Sequence, residues 1–376
     1  VFTTAWTAAP QLPAEGFTPN RSREGFWRQS LRQTVRVSAG GDRLRVRLSN
    51  DYGFSPLRIA GATVARAAAG AAVEPGSLRR LEFEGAYAVA VPARGSVLSD
   101  PAGLTLAAGE SLTVTLHLDA VTGPATFHAQ AFTTAYQGPG DLLDDVTGDG
   151  FEESDESWYF LSAVETDAGR GDAVALFGDS VTDGFGSTPG ADRRWSDALA
   201  ELTGRPVLNA GIGGNLLLND SAWYGERGVH RLARDVLRHP GVDTLVVLLG
   251  LNDIGFSETR EQPTYHPAPV VEADELIDGH RALIRQARAG GLRVIGSTLL
   301  PFGGSDHWGE HAAKVSHEMN EWIRASGEWD AVVDLTVALA DPADPDRLHP
   351  AYDFGDHLHP NDAGYAVMAE AVAELL

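Results

Sequence analysis

The sequence predicts two domains of different class: an antiparallel, jelly-roll-like β-sandwich over residues 1–168, then a doubly wound α/β domain over residues 173–376. Three observations carry this. In the first part, short runs that alternate apolar and polar residues are punctuated by Gly and Pro, and no helical period persists. From residue 173 the texture changes to buried-strand runs alternating with helix-period stretches, the pattern of a parallel sheet with helices on both faces. The length of 376 residues leaves room for both domains.

In chain order, Thr34–Ser38 alternates, Gly40-Gly41 turns, and Leu44–Leu48 alternates again, which reads as a β-hairpin. Ser111–Leu118 is a further strand. Asp141–Glu153 is an acidic stretch, DLLDDVTGDGFEE, and a solvated surface loop is expected. A calcium loop would need oxygen ligands at set positions, and Gly148 and Gly150 fall wrongly for an EF-hand. Asp167–Asp172 reads as the linker.

The second half holds five candidate strands: Ala173–Phe177, Val207–Ala210, Thr244–Leu249, Val294–Leu299 and Ala331–Leu335. Helices are expected at Trp195–Leu202, Gly228–Arg238, Val271–Ala289, Ala312–Ala325 and Gly364–Leu376. Five strands in this alternation suit a flavodoxin-like sheet.

Composition narrows the chemistry. A net charge of −23 argues against nucleic acid or an anionic membrane surface as partner, because both require basic patches. The absence of cysteine excludes thiol nucleophiles, thiolate metal sites and disulfides. The apolar run Leu245–Leu249 is far too short to insert across a bilayer. A start at Val1 fits the mature form of an exported protein, so an extracellular location is expected.

Polar or glycine-rich clusters follow the strands. They are Gly178-Asp179-Ser180, Asn209–Asn215, Gly250–Asp253 and, before the last helix, Asp356–Pro360. Open α/β sheets bind ligands at the carboxyl ends of their strands. Each cluster has a chemical use there. Ser180 is the candidate nucleophile and His359 its base. Asp356, three residues earlier, can hold the imidazole in one tautomer. The backbone N–H groups of Ser180 and Gly214 and the side-chain amide of Asn252 are candidate oxyanion donors. No cofactor or metal is needed for this chemistry.

These clusters, FGDSVTDG, NAGIGGN, GLND and DHLHPNDAGY, resemble the four blocks of the SGNH or GDSL-type hydrolases, in family order, across residues 173–376. The first half, especially RVRLSNDYG at Arg45–Gly53, is similar to the β-domain of secreted two-domain members. The resemblance implies a serine carboxylester hydrolase that works through an acyl-enzyme. An extracellular esterase that removes acetyl groups from carbohydrate is the specific expectation. A lipase, lysophospholipase or thioesterase of the same fold is the alternative. From another class, the alternative is a non-catalytic carbohydrate-binding protein, which the intact residue set argues against. Thr182 at the second glycine position of a G-x-S-x-G elbow excludes an α/β-hydrolase.

Other residues have plainer readings. Asp179, Asp183 and Asp253 are expected to hold loops. His307, His311 and His317 approach a metal-ligand spacing, but the glutamate of H-E-x-x-H is misplaced, so a surface helix start is expected. Of Phe185, Trp195, Trp223, Tyr224, Phe256, Phe302 and Trp308, two or three are expected at substrate and the rest in the core. Arg193 and Arg194 are expected to be solvated or paired. The motif D-x-L-H-P occurs twice, at Asp346–Pro350 and Asp356–Pro360. The second copy leads into a capped helix, whereas the first sits in a stretch, Asp341–Pro350, where no element is expected.

Overall fold

The computed structural model describes residues 1–259 and 261–376. The chain divides into two compact units, Val1–Arg170 and Gly171–Leu376.

The first unit is built from two large antiparallel sheets around one hydrophobic core, with two short antiparallel pairs, Phe127–His128 with Trp158–Tyr159 and Leu57–Ile59 with Val89–Val91. One sheet joins Thr3–Thr7, Leu161–Thr166, Gly41–Ser49, Ser96–Leu98 and Ala102–Leu106. The other runs Glu152–Glu153, Tyr136–Pro139, Gln29–Arg36, Ser111–Leu118, Gly61–Arg66 and Arg79–Arg80. Alternation does its expected work: Leu44, Val46 and Leu48 of one sheet and Leu112, Val114 and Leu116 of the other are fully buried in the same core. On the opposite face Arg45 and Arg47 both pair with the buried Glu165.

The expected hairpin across Gly40-Gly41 does not form. Gln29–Arg36 pairs with Ser111–Leu118 and Tyr136–Pro139, whereas Gly41–Ser49 pairs with Leu161–Thr166 in the other sheet. The glycine pair is a corner between sheets. Both flanking strands carry apolar residues for the shared core, and that need is met from two facing layers.

The second unit carries a five-stranded, all-parallel sheet. Its strands are labelled β1 (Ala173–Gly178), β2 (Val207–Gly211), β3 (Val242–Leu248), β4 (Arg293–Ser297) and β5 (Ala331–Val333). The order is β2-β1-β3-β4-β5, the flavodoxin-like arrangement. Both faces are covered, and β1 shows why its sequence is continuously apolar. Ala175 and Phe177 enter one core with Leu276, Leu283, Val315 and Met319, and Val174 and Leu176 enter the other with Trp195, Leu199, Tyr365 and Met368.

The helices are α1 (Ser180–Asp183), α2 (Trp195–Thr203), α3 (Gly228–Leu232), α4 (Leu251–Gly255), α5 (Ala273–Ala289), α6 (Glu310–Ala325), α7 (Leu335–Leu339) and α8 (Asp362–Ala373). The helix expected over Gly228–Arg238 widens into a π turn at Ala233–Leu237. Asn361 caps α8, its side chain accepting from the N–H groups of Ala363 and Gly364. The stretch expected to lack an element holds a two-stranded ladder, Ala340–Asp341 with Asp344–Leu348. Among the described residues, no helix is long and apolar enough to cross a membrane.

Candidate active site

The centre forms where β1 ends. Asp179 caps the short helix α1 by accepting the N–H of Val181 at 3.1 Å, which leaves Ser180 as the first residue of the turn. The Ser180 Oγ lies 2.8 Å from Nε2 of His359, and Nδ1 of the same ring lies 2.7 Å from Oδ2 of Asp356. A carboxylate can only accept, so Nδ1 carries the proton, Nε2 accepts, and the serine hydroxyl donates to it. Asp356 also shapes its own loop, because its Oδ1 accepts the N–H groups of Leu358 at 3.0 Å and His359 at 2.9 Å. Burial pushes the Asp356 carboxyl up. The hydrogen bond and charge of His359 and the two N–H donors outweigh that and hold it at about 2.

The base is fixed from both sides. The N–H of Phe354 donates to the carbonyl of His359 at 2.9 Å, and the N–H of Asn361 to that of Tyr352 at 2.8 Å. The Phe185 ring lies 4.5 Å from the His359 ring and packs edge-on against Phe354. Oη of Tyr365 on α8 donates to the carbonyl of Phe185 at 2.5 Å. Ser180 and His359 are each 8% exposed, enough for a small group to reach them but little enough to keep the pair partly dry.

Gly214 lies in the loop after β2. Its φ of +72° favours glycine, and a Cβ there would fall 2.5 Å from the Tyr224 ring. Asn252 lies in α4, after β3. Its Nδ2 donates to the carbonyl of Asn215 at 3.1 Å, which ties it to the residue next to Gly214. The Gly213 N–H donates to Asp183 at 3.0 Å, so the same loop is tied to the nucleophile's helix. Ser180, His359 and Asp356 therefore meet through direct bonds. Gly214 and Asn252 share one loop junction beside them.

Two residues that organise this centre, Arg231 and Asp235, carry no sequence signal. Arg231 is fully buried. It donates to the carbonyl of Gly178 at 2.7 Å, to that of Ala210 at 2.8 Å and to Oδ1 of Asn215 at 2.9 Å, so it staples the ends of β1 and β2 to the Gly214 loop. Asp235, also buried, is its counter-ion at 3.1 Å and pairs with Arg234 as well. Arg231 sat unmarked within a helix pattern, and Asn215 was visible only as a polar residue in a glycine loop. Asp253 accepts the N–H groups of Leu217 at 2.7 Å and Leu218 at 3.0 Å, holding the next stretch of the same loop. Burial pushes the carboxyls of Asp179 and Asp253 up to about 7.

The remaining candidates disperse. His307 faces Asn252, His311 donates to the carbonyl of Val271, and His317 pairs with Asp346. Asp145 of the acidic loop accepts the N–H groups of Gly148 and Gly150, which closes a turn. Among the described residues, no group of three or more His, Cys, Asp or Glu side chains is gathered as for a metal. Trp195, Tyr224, Phe256 and Phe302 are core residues. Arg194 pairs with Asp197.

No curated protein matches the chain. Among solved structures, an inhibitor-bound aryl esterase of M. smegmatis is similar at 18% identity and a TM-score of 0.42, covering 54% of this chain and 97% of that one. An acetyl xylan esterase is similar at 22% identity and a TM-score of 0.41, covering 54% and 99%. A Corynascus thermopiles (Myceliophthora fergusii) carbohydrate esterase family 2 enzyme with its carbohydrate-binding domain is similar at 14% identity and a TM-score of 0.41, covering 98% of each chain. The model of the GDSL-like lipase/acylhydrolase family matches residues 176–367, just over half of the sequence and the whole stretch from the end of β1 into α8. The protein thus belongs to the GDSL-like lipase/acylhydrolase family and is a carboxylic ester hydrolase.

Proposed function

We propose that the protein is an extracellular serine esterase that removes short acyl groups, acetyl above all, from carbohydrate. The observation that carries the chemistry is the unbroken chain from Ser180 through His359 to Asp356, with contacts of 2.8 and 2.7 Å. Ser180 Oγ attacks the ester carbonyl carbon while its proton passes to Nε2 of His359. The negative charge on the carbonyl oxygen is met by the N–H groups of Ser180 and Gly214 and by Nδ2 of Asn252. Collapse breaks the ester C–O bond, and His359 returns its proton to the leaving alcohol. Water then attacks the acyl-serine while His359 takes its proton; the acyl C–Oγ bond breaks, His359 returns that proton to Ser180 Oγ, and the carboxylic acid leaves and ionises in solvent. Asp356 stays ionised throughout and stabilises the imidazolium.

Four features support the substrate class. Tyr224, Phe256 and Tyr265 pack into one aromatic cluster against Gly214 and along α4, the helix of Asn252. That filling favours a short acyl group over a long chain. The leaving alcohol must lie beside His359, where Phe185 stands and the half-exposed Phe354 offers a flat apolar face suited to a sugar ring. The net charge of −23 also disfavours work on an anionic lipid surface. A first domain that serves as a β-sandwich accessory to the hydrolase domain accords with this reading.

The test is a series of p-nitrophenyl esters from acetate to palmitate, with acetate release from acetylated polysaccharide measured in parallel. A preference for acetate that Ser180→Ala abolishes is expected. Rates that rise with chain length would replace the reading with a lipase.

A further inference from the structure

A second aspartate–histidine pair lies beside the centre, and the steps above do not use it. Nδ1 of His307 is 2.7 Å from Oδ1 of Asp306, and Nε2 of the same ring is 3.2 Å from Oδ1 of Asn252. We propose that His307, braced by Asp306 and protonated on both ring nitrogens, is a positioning residue that locks the side-chain amide of Asn252 for the oxyanion. The proposal rests on the reading of Asn252 as an oxyanion donor.

Proton counting carries the argument. A carboxylate oxygen only accepts, so Nδ1 of His307 must donate to Asp306. The orientation of the Asn252 amide is set independently, because its Nδ2 faces the carbonyl oxygen of Asn215 at 3.1 Å, and a carbonyl also only accepts. The amide oxygen must therefore be the atom that faces His307, and Nε2 must donate to it. Flipping the amide to suit a neutral ring would set two oxygens against each other at Asn215. With Asp306 ionised, as its lowered carboxyl requires, one protonation pattern satisfies all three contacts: an imidazolium between Asp306 and Asn252.

The surroundings are built for this ring. Its side chain is 1% exposed, while Asp306 reaches solvent. The hydrogen bond from His307 holds the Asp306 carboxyl below the usual range, against the opposing effect of burial. The edges of Tyr265 and Phe256 pack on the ring at 5.2 and 5.7 Å. Gly255 lies one turn after Asn252 on α4, and a Cβ there would sit 2.1 Å from Cδ2 of His307. Only a hydrogen at position 255 lets the imidazole lie against the helix and reach Asn252.

The consequence is a donor with no freedom left. One hydrogen of Nδ2 is committed to Asn215 and the oxygen to His307, so the second N–H has a single direction. Such preorganisation counts because it costs no reorganisation when the oxyanion forms. The positive ring beyond the amide oxygen also polarises the N–H in a partly dry site.

The experiment compares steady-state kcat and KM on p-nitrophenyl acetate for wild type, Asn252→Ala, His307→Phe, His307→Gln, Gly255→Ala and the double variant His307→Phe/Asn252→Ala, each checked by thermal melting. His307→Phe, which keeps a ring but no donor, is expected to lower kcat roughly 10- to 100-fold with little change in KM, somewhat less than deletion of the amide itself. His307→Gln, whose amide N–H falls near Nε2, restores most of kcat. Gly255→Ala behaves like His307→Phe, and the double variant is no worse than Asn252→Ala alone. Wild-type kcat in a folded His307→Phe, beside a crippled Asn252→Ala, overturns the proposal and leaves the oxyanion reading standing. A normal kcat in Asn252→Ala overturns the oxyanion reading, and the proposal falls with it.

Discussion

Oδ1 of Asp346 lies 2.6 Å from Nε2 of His317 on α6. The carboxylate of the first D-x-L-H-P copy therefore faces away from the histidine three residues on. His349 uses its Nδ1 instead to accept the N–H of Ala351 at 3.1 Å. In the second copy Asp356 folds back onto His359. His357, between them, pairs with Asp353 at 2.6 Å. The expected outcome is that His359→Ala abolishes turnover while His349→Ala and His357→Ala keep most of it. Measuring kcat for the three folded variants checks this, and a dead His349→Ala beside an active His359→Ala reverses the assignment.

Asp356→Asn should lower kcat by on the order of 10⁴, because the amide no longer holds Nδ1–H of His359 or balances the imidazolium. The same carboxylate links stability to pH. Held at about 2, it lies below the ordinary carboxyl value of 3.8, so its contribution is present above pH 3.8 and is lost as pH falls toward 2. The gap in melting temperature between wild type and Asp356→Asn should therefore narrow as pH falls across that window. A gap that widens on acidification contradicts it.

Arg231→Met should destabilise the protein by about 3–5 kcal/mol, since it strips donors from three buried oxygens and leaves Asp235 with Arg234 alone. The exposed Arg193→Ala should change stability by less than about 0.5 kcal/mol. Urea unfolding of both measures the contrast. Comparable stability for the two would mean that the strand ends are held by something else.

Activity should survive incubation with EDTA, because the proton acceptor for Ser180 is a side chain already in place at 2.8 Å. Loss of activity that added calcium or zinc restores would redirect attention to Asp145 or His317.

The two units differ in how much of them the sequence displays. In the second, β1 is buried along its whole length, so its apolar run is continuous and its end is marked by the glycine and polar residues that follow. The strands expected at Ala173–Phe177 and Val207–Ala210 end one residue short of the observed Gly178 and Gly211. In the first unit the period of two identifies a strand but not its partner. Thr34–Ser38 and Leu44–Leu48 were legible as strands while their separation into two sheets was not, because Gly-Gly serves a corner as well as a hairpin. At the candidate site, residues that lie where strands end were legible by position. Arg231 was not, since a single cation in a helix pattern looks the same whether it faces water or three carbonyls. His307 was expected at a surface helix start, but it is 1% exposed, and Asn252, which it faces, lies 55 residues away.

The hydrogen bond between Ser180 and His359 closes a gap of 179 residues, from the first strand of the sheet to the loop before α8. Esterase activity is therefore a clock for the slowest closure in the unit. In a refolding experiment, helix signal and tryptophan burial should return ahead of turnover, because local elements form before distant ends meet. A burst of activity that kept pace with the earliest helix signal would mean that the two ends find each other first and the sheet fills in between them.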